Sequence, residues 1–129
     1  MKSLLFSILS LLGLCTSCRA EDSGTLLSVA EYDAALKRDT TAVVVDVRRS
    51  EEFSAGHLAG AFNLNVLDEA VFTKGIARFD AAHTYYIYCR SGRRSQRAAQ
   101  LMTQHGLRVV DLRGGFLAWE QAGMPVVKE

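Results

Sequence analysis

The chain has 129 residues, 49% of them hydrophobic and 22% charged, with 15 Lys and Arg against 14 Asp and Glu. That balance excludes a disordered chain, which would be poorer in apolar residues, and a nucleic-acid binder, which would carry a basic excess. The length suits one domain able to bury a core without disulfides, and three cysteines are too few for a disulfide scaffold.

Met1 to Ala20 starts with Lys2 and continues as an uncharged apolar run from Leu4 to Leu14. A charged start, a short apolar stretch and small residues after it are the layout of an export signal. The run is too short for a bilayer, which takes roughly 20 apolar residues. It is apolar on every side and lacks the stripe of a core helix. Residues 1–20 are therefore expected to be a signal peptide. Cleavage fits after Ala20, or before Cys18, where the sequence resembles a bacterial lipoprotein signal and Cys18 would receive a lipid. The expected location is the periplasm, or the membrane surface through a lipid on Cys18. Cys15 and Cys18 form a C-x-x-C pair, but at the end of the apolar run, so a redox reading is set aside.

Either cut removes Cys15 and removes or blocks Cys18. Cys89 is then the one free thiol, in a compartment where disulfides normally form. Loss of Lys2 and Arg19 takes the basic count from 15 to 13 against 14 acidic residues, a mature domain near −1.

Glu21 to Thr25 is polar, contains a glycine and reads as a tether, with the domain spanning 26–127. Ser28 and Glu31 are spaced as a capping box, opening a helix to about Lys37. Val43-Val44-Val45 is the continuous β-branched run of a strand buried on both faces of a parallel sheet. Asp68 to Phe79 suits a helix with Val71, Phe72, Ile76 and Phe79 on one face. Tyr85 to Tyr88 reads as a strand ending at Cys89. Arg94 to His105 reads as a helix, with Ala98, Leu101 and Met102 as its stripe and Gly106 as its stop. Val109-Val110 begins a short strand, and Gly114-Gly115 turns into a last helix over Phe116 to Gln121. Strands alternating with helices predict a single α/β domain, its mainly parallel central sheet flanked by helices on both faces.

The segment that carries chemistry is Tyr88-Cys89-Arg90-Ser91-Gly92-Arg93-Arg94-Ser95. A Cys between a buried strand and a Gly-containing turn into a helix sits at the carboxyl edge of the sheet, where open α/β folds bind ligands. Loop amides, the helix N-terminus and Arg90, Arg93 and Arg94 surround it with positive charge, and Arg97 follows one turn on. Such surroundings favour the thiolate and a small anion beside it. The plainer alternative is an inert core Cys with solvated arginines. Three basic residues at a helix N-terminus oppose the helix dipole, however, and a bound anion relieves that conflict.

These motifs, taken in order, resemble the single-domain rhodanese-like sulfurtransferases. The resemblance covers roughly Leu26 to Val127. It runs from Val45-Asp46-Val47-Arg48 through Glu52-Phe53, Gly56-His57-Leu58-Ala59-Gly60-Ala61 and Asn63 to the Cys89–Arg94 loop. It closes on Gly114-Gly115-Phe116-Leu117-Ala118-Trp119 and Gly123-Met124-Pro125-Val126. It implies that Cys89 takes the outer sulfur of a donor such as thiosulfate as a persulfide. An acceptor then removes that sulfur, cyanide in an assay and a thiol in the cell. Arg90, Arg93 and Arg94 would hold the anionic donor, and Ser91 and Gly92 would supply backbone N–H groups.

The resemblance implies no metal and no organic cofactor; a monomer with small-molecule partners is expected. Asp46 and Arg48 are expected to tie the strand end to its neighbouring loops. His57 is expected to be a hydrogen-bonded scaffold residue, Trp119 to pack in the core, and Arg97 to steer anions or pair with an acid. Two rival readings are a Cys-dependent phosphatase and a non-enzymatic binding module or persulfide carrier. The phosphatase loop is C-x5-R, and Ser95 stands where its Arg belongs. Modules of this family commonly lack the Cys that this chain retains.

Overall fold

The computed structural model describes residues 24–128. The expected signal peptide, Cys18 and most of the expected tether lie outside those residues. Among the described residues, no helix is long and apolar enough to cross a membrane.

The sheet opens with β1 (Thr25–Leu27), so the last residue assigned to the tether is part of a strand. β1 is followed by α1 (Val29–Arg38), in which the Ser28 hydroxyl accepts from the Glu31 amide and the Glu31 carboxylate accepts from the Ser28 amide. β2 (Ala42–Asp46), α2 (Ser50–Ala55), β3 (Phe62–Asn63) and α3 (Glu69–Ile76) come next. The chain finishes with β4 (Thr84–Tyr88), α4 (Arg93–Gln104), β5 (Arg108–Leu112) and α5 (Gly115–Gln121). The five strands pair in the order β1-β5-β4-β2-β3, and every pair is parallel.

Alternation along the central strands feeds two cores. On one face Val45, Ile87 and Val109 pack against Phe72 and Ile76 of α3 and Ala98, Ala99 and Met102 of α4. On the other, Val44, Tyr86, Tyr88 and Leu112 pack against Tyr32 of α1 and Phe116 and Trp119 of α5. Helices on both faces explain the continuous Val43–Val45 run, since neither side of β2 meets water. Trp119 is a core residue, as expected, and its indole donates to the Pro125 carbonyl at 2.8 Å.

Two expectations need correction in α3. The helix ends at Ile76, and Phe79 lies beyond it, stacked on Tyr85 with ring centroids 4.6 Å apart. Val71 is 52% exposed, because only Phe72 and Ile76 face the sheet. α2 and β3 are too short to leave a periodic pattern; α2 is closed instead by the Glu52 carboxylate accepting from the Arg49 amide at 3.1 Å.

Candidate active site

Cys89 follows β4 at the carboxyl edge of the sheet, and its side chain is fully buried. The turn into α4 is made by Gly92, whose φ of +111° suits glycine. That conformation points the Gly92 N–H at Cys89 Sγ, 3.0 Å away. Ser95 Oγ lies 3.5 Å from the same sulfur and donates to the Gly92 carbonyl at 3.3 Å.

The outer side of the loop is clamped by α5. The Phe116 and Leu117 amides donate to the Cys89 and Arg90 carbonyls at 2.8 and 3.1 Å. Gly115 makes this approach possible: its φ is +59°, and a Cβ there would sit 2.6 Å from both carbonyl oxygens. Gly114-Gly115 therefore shapes the reactive loop from 25 positions away in the sequence, a role the motif did not disclose.

The arginines divide into two groups. The Arg94 guanidinium makes two bonds to the Glu52 carboxylate, at 2.7 and 3.0 Å. The pair holds the Glu52 carboxyl down at about 2. Arg94 is thus a charge anchored to α2. Arg97 is tied to Glu69 at 2.8 and 3.0 Å, the acid-pairing alternative. Arg90 and Arg93 are exposed and form no ion pair among the described residues. Arg113, which the sequence did not single out, lines the same cavity as Ser91, Gly92 and Arg93, a space of about 250 Å³. A larger cavity of about 510 Å³ opens at the opposite ends of β4 and β5, beside Thr84 and Arg108, and holds none of these groups.

Asp46 and Arg48 are buried together. Arg48 Nη2 donates to Asp46 Oδ2 and to the Gly56 carbonyl, both at 2.7 Å, and Nε donates to Asp46 Oδ1 at 2.9 Å. Its guanidinium lies over the Phe116 ring, 4.3 Å from the centroid. The Tyr88 hydroxyl donates to Asp46 Oδ2 at 2.8 Å and accepts from the Leu58 amide at 3.1 Å. Burial and the Asp46 charge push the Tyr88 phenol far above its ordinary value, so it remains a donor. His57 stacks on Phe53, and its main chain pairs with Val127. Asp46 and Arg48 thus join the end of β2 to Gly56 and, through Tyr88, to Leu58.

Asp111, unforeseen, lies beneath α4 and is 4% exposed. Burial raises its carboxyl to about 6, against the opposing effects of the Ser95 hydroxyl and the Leu112 amide. A clue existed: Val109 and Asp111 share one face of a strand, so a charge stands where the pattern calls for an apolar residue.

A five-stranded parallel α/β sheet, with a buried thiol at one strand's carboxyl end and a glycine turn leading from it into an arginine-rich helix start, defines the class of domain. Residues 28–122 match the rhodanese-like domain model, and the chain belongs to that family. It is 40% identical over 80 residues to the thiosulfate sulfurtransferase GlpE of Shewanella oneidensis, covering 61% of this chain and 76% of that protein. An uncharacterized protein of Synechocystis is 33% identical over 96 residues, covering 72% of this chain; the chain spans about half, 51%, of that relative. The crystal structure of a rhodanese-related protein from Thermoplasma volcanium superposes with a TM-score of 0.71 at 28% identity, covering 81% of this chain and 99% of the other.

Proposed function

We propose that this rhodanese-like protein is a sulfurtransferase that moves a sulfane sulfur from thiosulfate, or a similar anionic donor, to a thiophilic acceptor through a Cys89 persulfide. The observation that carries this reading is the Gly92 N–H aimed at Cys89 Sγ from 3.0 Å, a donor set for negative charge on sulfur. The Cys89 thiolate attacks the outer sulfur of thiosulfate. The new Sγ–S bond forms as the sulfur–sulfur bond to sulfite breaks, and sulfite leaves with that electron pair. Arg90 and Arg93, exposed at the loop, attract the donor, while Arg94 keeps a fixed positive charge near the sulfur. Cyanide in vitro, or a thiol in the cell, then takes the outer sulfur.

The same reading has the domain exported as a monomer. It is released into the periplasm by cleavage after Ala20 or held at the membrane by a lipid on Cys18. Fractionation of cells expressing the full chain and its Cys18→Ala variant separates those two fates. For the chemistry, intact mass spectrometry after thiosulfate treatment without reductant is expected to show one added sulfur atom. That atom should map to Cys89, discharge with cyanide and be absent in Cys89→Ser. An unmodified wild-type protein would sink the mechanism.

A further inference from the structure

Asp111 is a buried carboxylate that no ion pair answers among the described residues. It is 4% exposed, and its Oδ1 has no hydrogen-bond partner among the described residues. Buried charges are normally paired, because leaving one unpaired costs several kcal/mol. The carboxyl borders a cavity of about 270 Å³ between β1 and α4, shared with Gln96, Gln100, Gly24 and Leu26. Gln96 and Gln100 are one helical turn apart, so their amides lie on the same side of α4. Among the described residues, no basic residue lines this space.

The cavity adjoins the reactive loop. Leu26 and Gln96 line both it and the cavity that holds Gly92, Arg93 and Arg113. Ser95, buried beside the thiol with its hydroxyl 3.5 Å from Cys89 Sγ, directly precedes Gln96, so both cavities border the first turn of α4 next to the sulfur. One compartment is cationic and the next is acidic.

We infer that the groove between β1 and α4 binds the ammonium end of a small aminothiol, with Asp111, Gln96 and Gln100 as its recognition groups and its sulfur directed at Cys89. The inference rests on the sulfurtransferase reading and names the acceptor class for it. The aminothiol arrives as its thiolate, its proton given to solvent. Its sulfur lone pair forms a bond to the outer sulfur of the Cys89 persulfide. The bond from that outer sulfur to Sγ breaks, leaving its electron pair on Sγ as the Cys89 thiolate. The aminothiol departs as a persulfide, and no external oxidant or reductant is consumed. An ammonium on Asp111 also supplies the counter-charge that the carboxylate lacks.

The test uses cysteamine and 2-mercaptoethanol, which differ chiefly in an ammonium against a hydroxyl. Wild type, Asp111→Asn and Gln100→Glu are charged with thiosulfate, the adduct is confirmed by mass, and discharge by each thiol is timed. The ratio of kcat/KM for cysteamine to that for 2-mercaptoethanol is expected to fall about tenfold in Asp111→Asn, the scale of one charge-assisted hydrogen bond. It should rise in Gln100→Glu, where an exposed helix residue adds a second carboxylate at little risk to folding. A ratio unchanged in both variants overturns the inference. Calorimetric titration of the uncharged-sulfur probe 2-(methylthio)ethylamine into unmodified protein gives an arm that needs no sulfur transfer. Binding to wild type that weakens in Asp111→Asn supports the site, and no binding to wild type overturns it. Intact binding with no thiosulfate adduct would instead remove the sulfurtransferase reading and leave the ammonium site standing.

Discussion

The two walls of the Cys89 loop treat their arginines differently. Toward α2, Arg48 and Arg94 are each matched with a carboxylate, Asp46 and Glu52. Toward β1, Arg93 and Arg113 border a cavity and form no ion pair among the described residues. A paired guanidinium holds backbone in place, whereas an unpaired one has donors left for a ligand. The first wall is scaffold and the second keeps guanidinium donors to spare, although the chain spells both with the same residue.

The sharpest way to break the distinction is Arg48→Met. It strands the Asp46 charge in the core and is expected to cost about 3–5 kcal/mol, read by urea unfolding. Arg93→Ala should leave that unfolding curve in place, and a comparable loss there would erase the difference between the walls.

Asp111 tests the binding side next. Its folded value of about 6 lies above the ordinary 3.8. Its contribution to stability is therefore whole below about pH 4 and is lost as pH rises through about 6. Asp111→Asn is expected to stabilise the fold by about 2 kcal/mol near pH 8, with the gain vanishing near pH 4. Melting curves at the two pH values check it, and an equal shift at both would contradict the sign.

Glu52 runs the other way. Its folded value of about 2 lies below the ordinary 4.5, so its contribution is present above about pH 4.5 and fades as pH falls toward 2. Arg94→Ala is expected to cost about 1 kcal/mol at neutral pH, discounted for the partial exposure of the pair, and almost nothing at the acid end. A pH-independent cost would mean that Arg94 acts through packing instead. The smallest effect is expected from Arg93→Ala: KM for thiosulfate rises about threefold to tenfold, its dependence on salt weakens, and stability holds. If KM and its salt response stay put, Arg93 merely faces solvent.

Much of this was legible in the chain. The Val43–Val45 run, the Ser28–Glu31 box and the Ala98–Met102 stripe each encode a local rule that the tertiary structure left in force. The thiol loop was legible for the same reason, being a strand end, a glycine and a helix start within a few residues. What escaped was pairing across distance. Whether Arg94 or Arg93 is free depends on Glu52, 42 positions earlier, and no periodicity links them. β1 was missed because three residues in a polar setting become a strand only when β5 offers an edge. Val71 misled because α3 lies with a narrow stripe on the sheet, leaving one apolar side chain outside.

The clamp by α5 has a consequence for what an incoming anion meets. With the Cys89 and Arg90 carbonyl oxygens committed to the Phe116 and Leu117 amides, the most electronegative atoms at the start of the loop are held in bonds behind it. The Gly92 amide remains turned to the sulfur. The loop is thereby sorted by polarity, acceptors to the rear and a donor to the front. The closing glycine pair is where that sorting is made, since the missing Cβ of Gly115 lets α5 come close enough to hold both carbonyls.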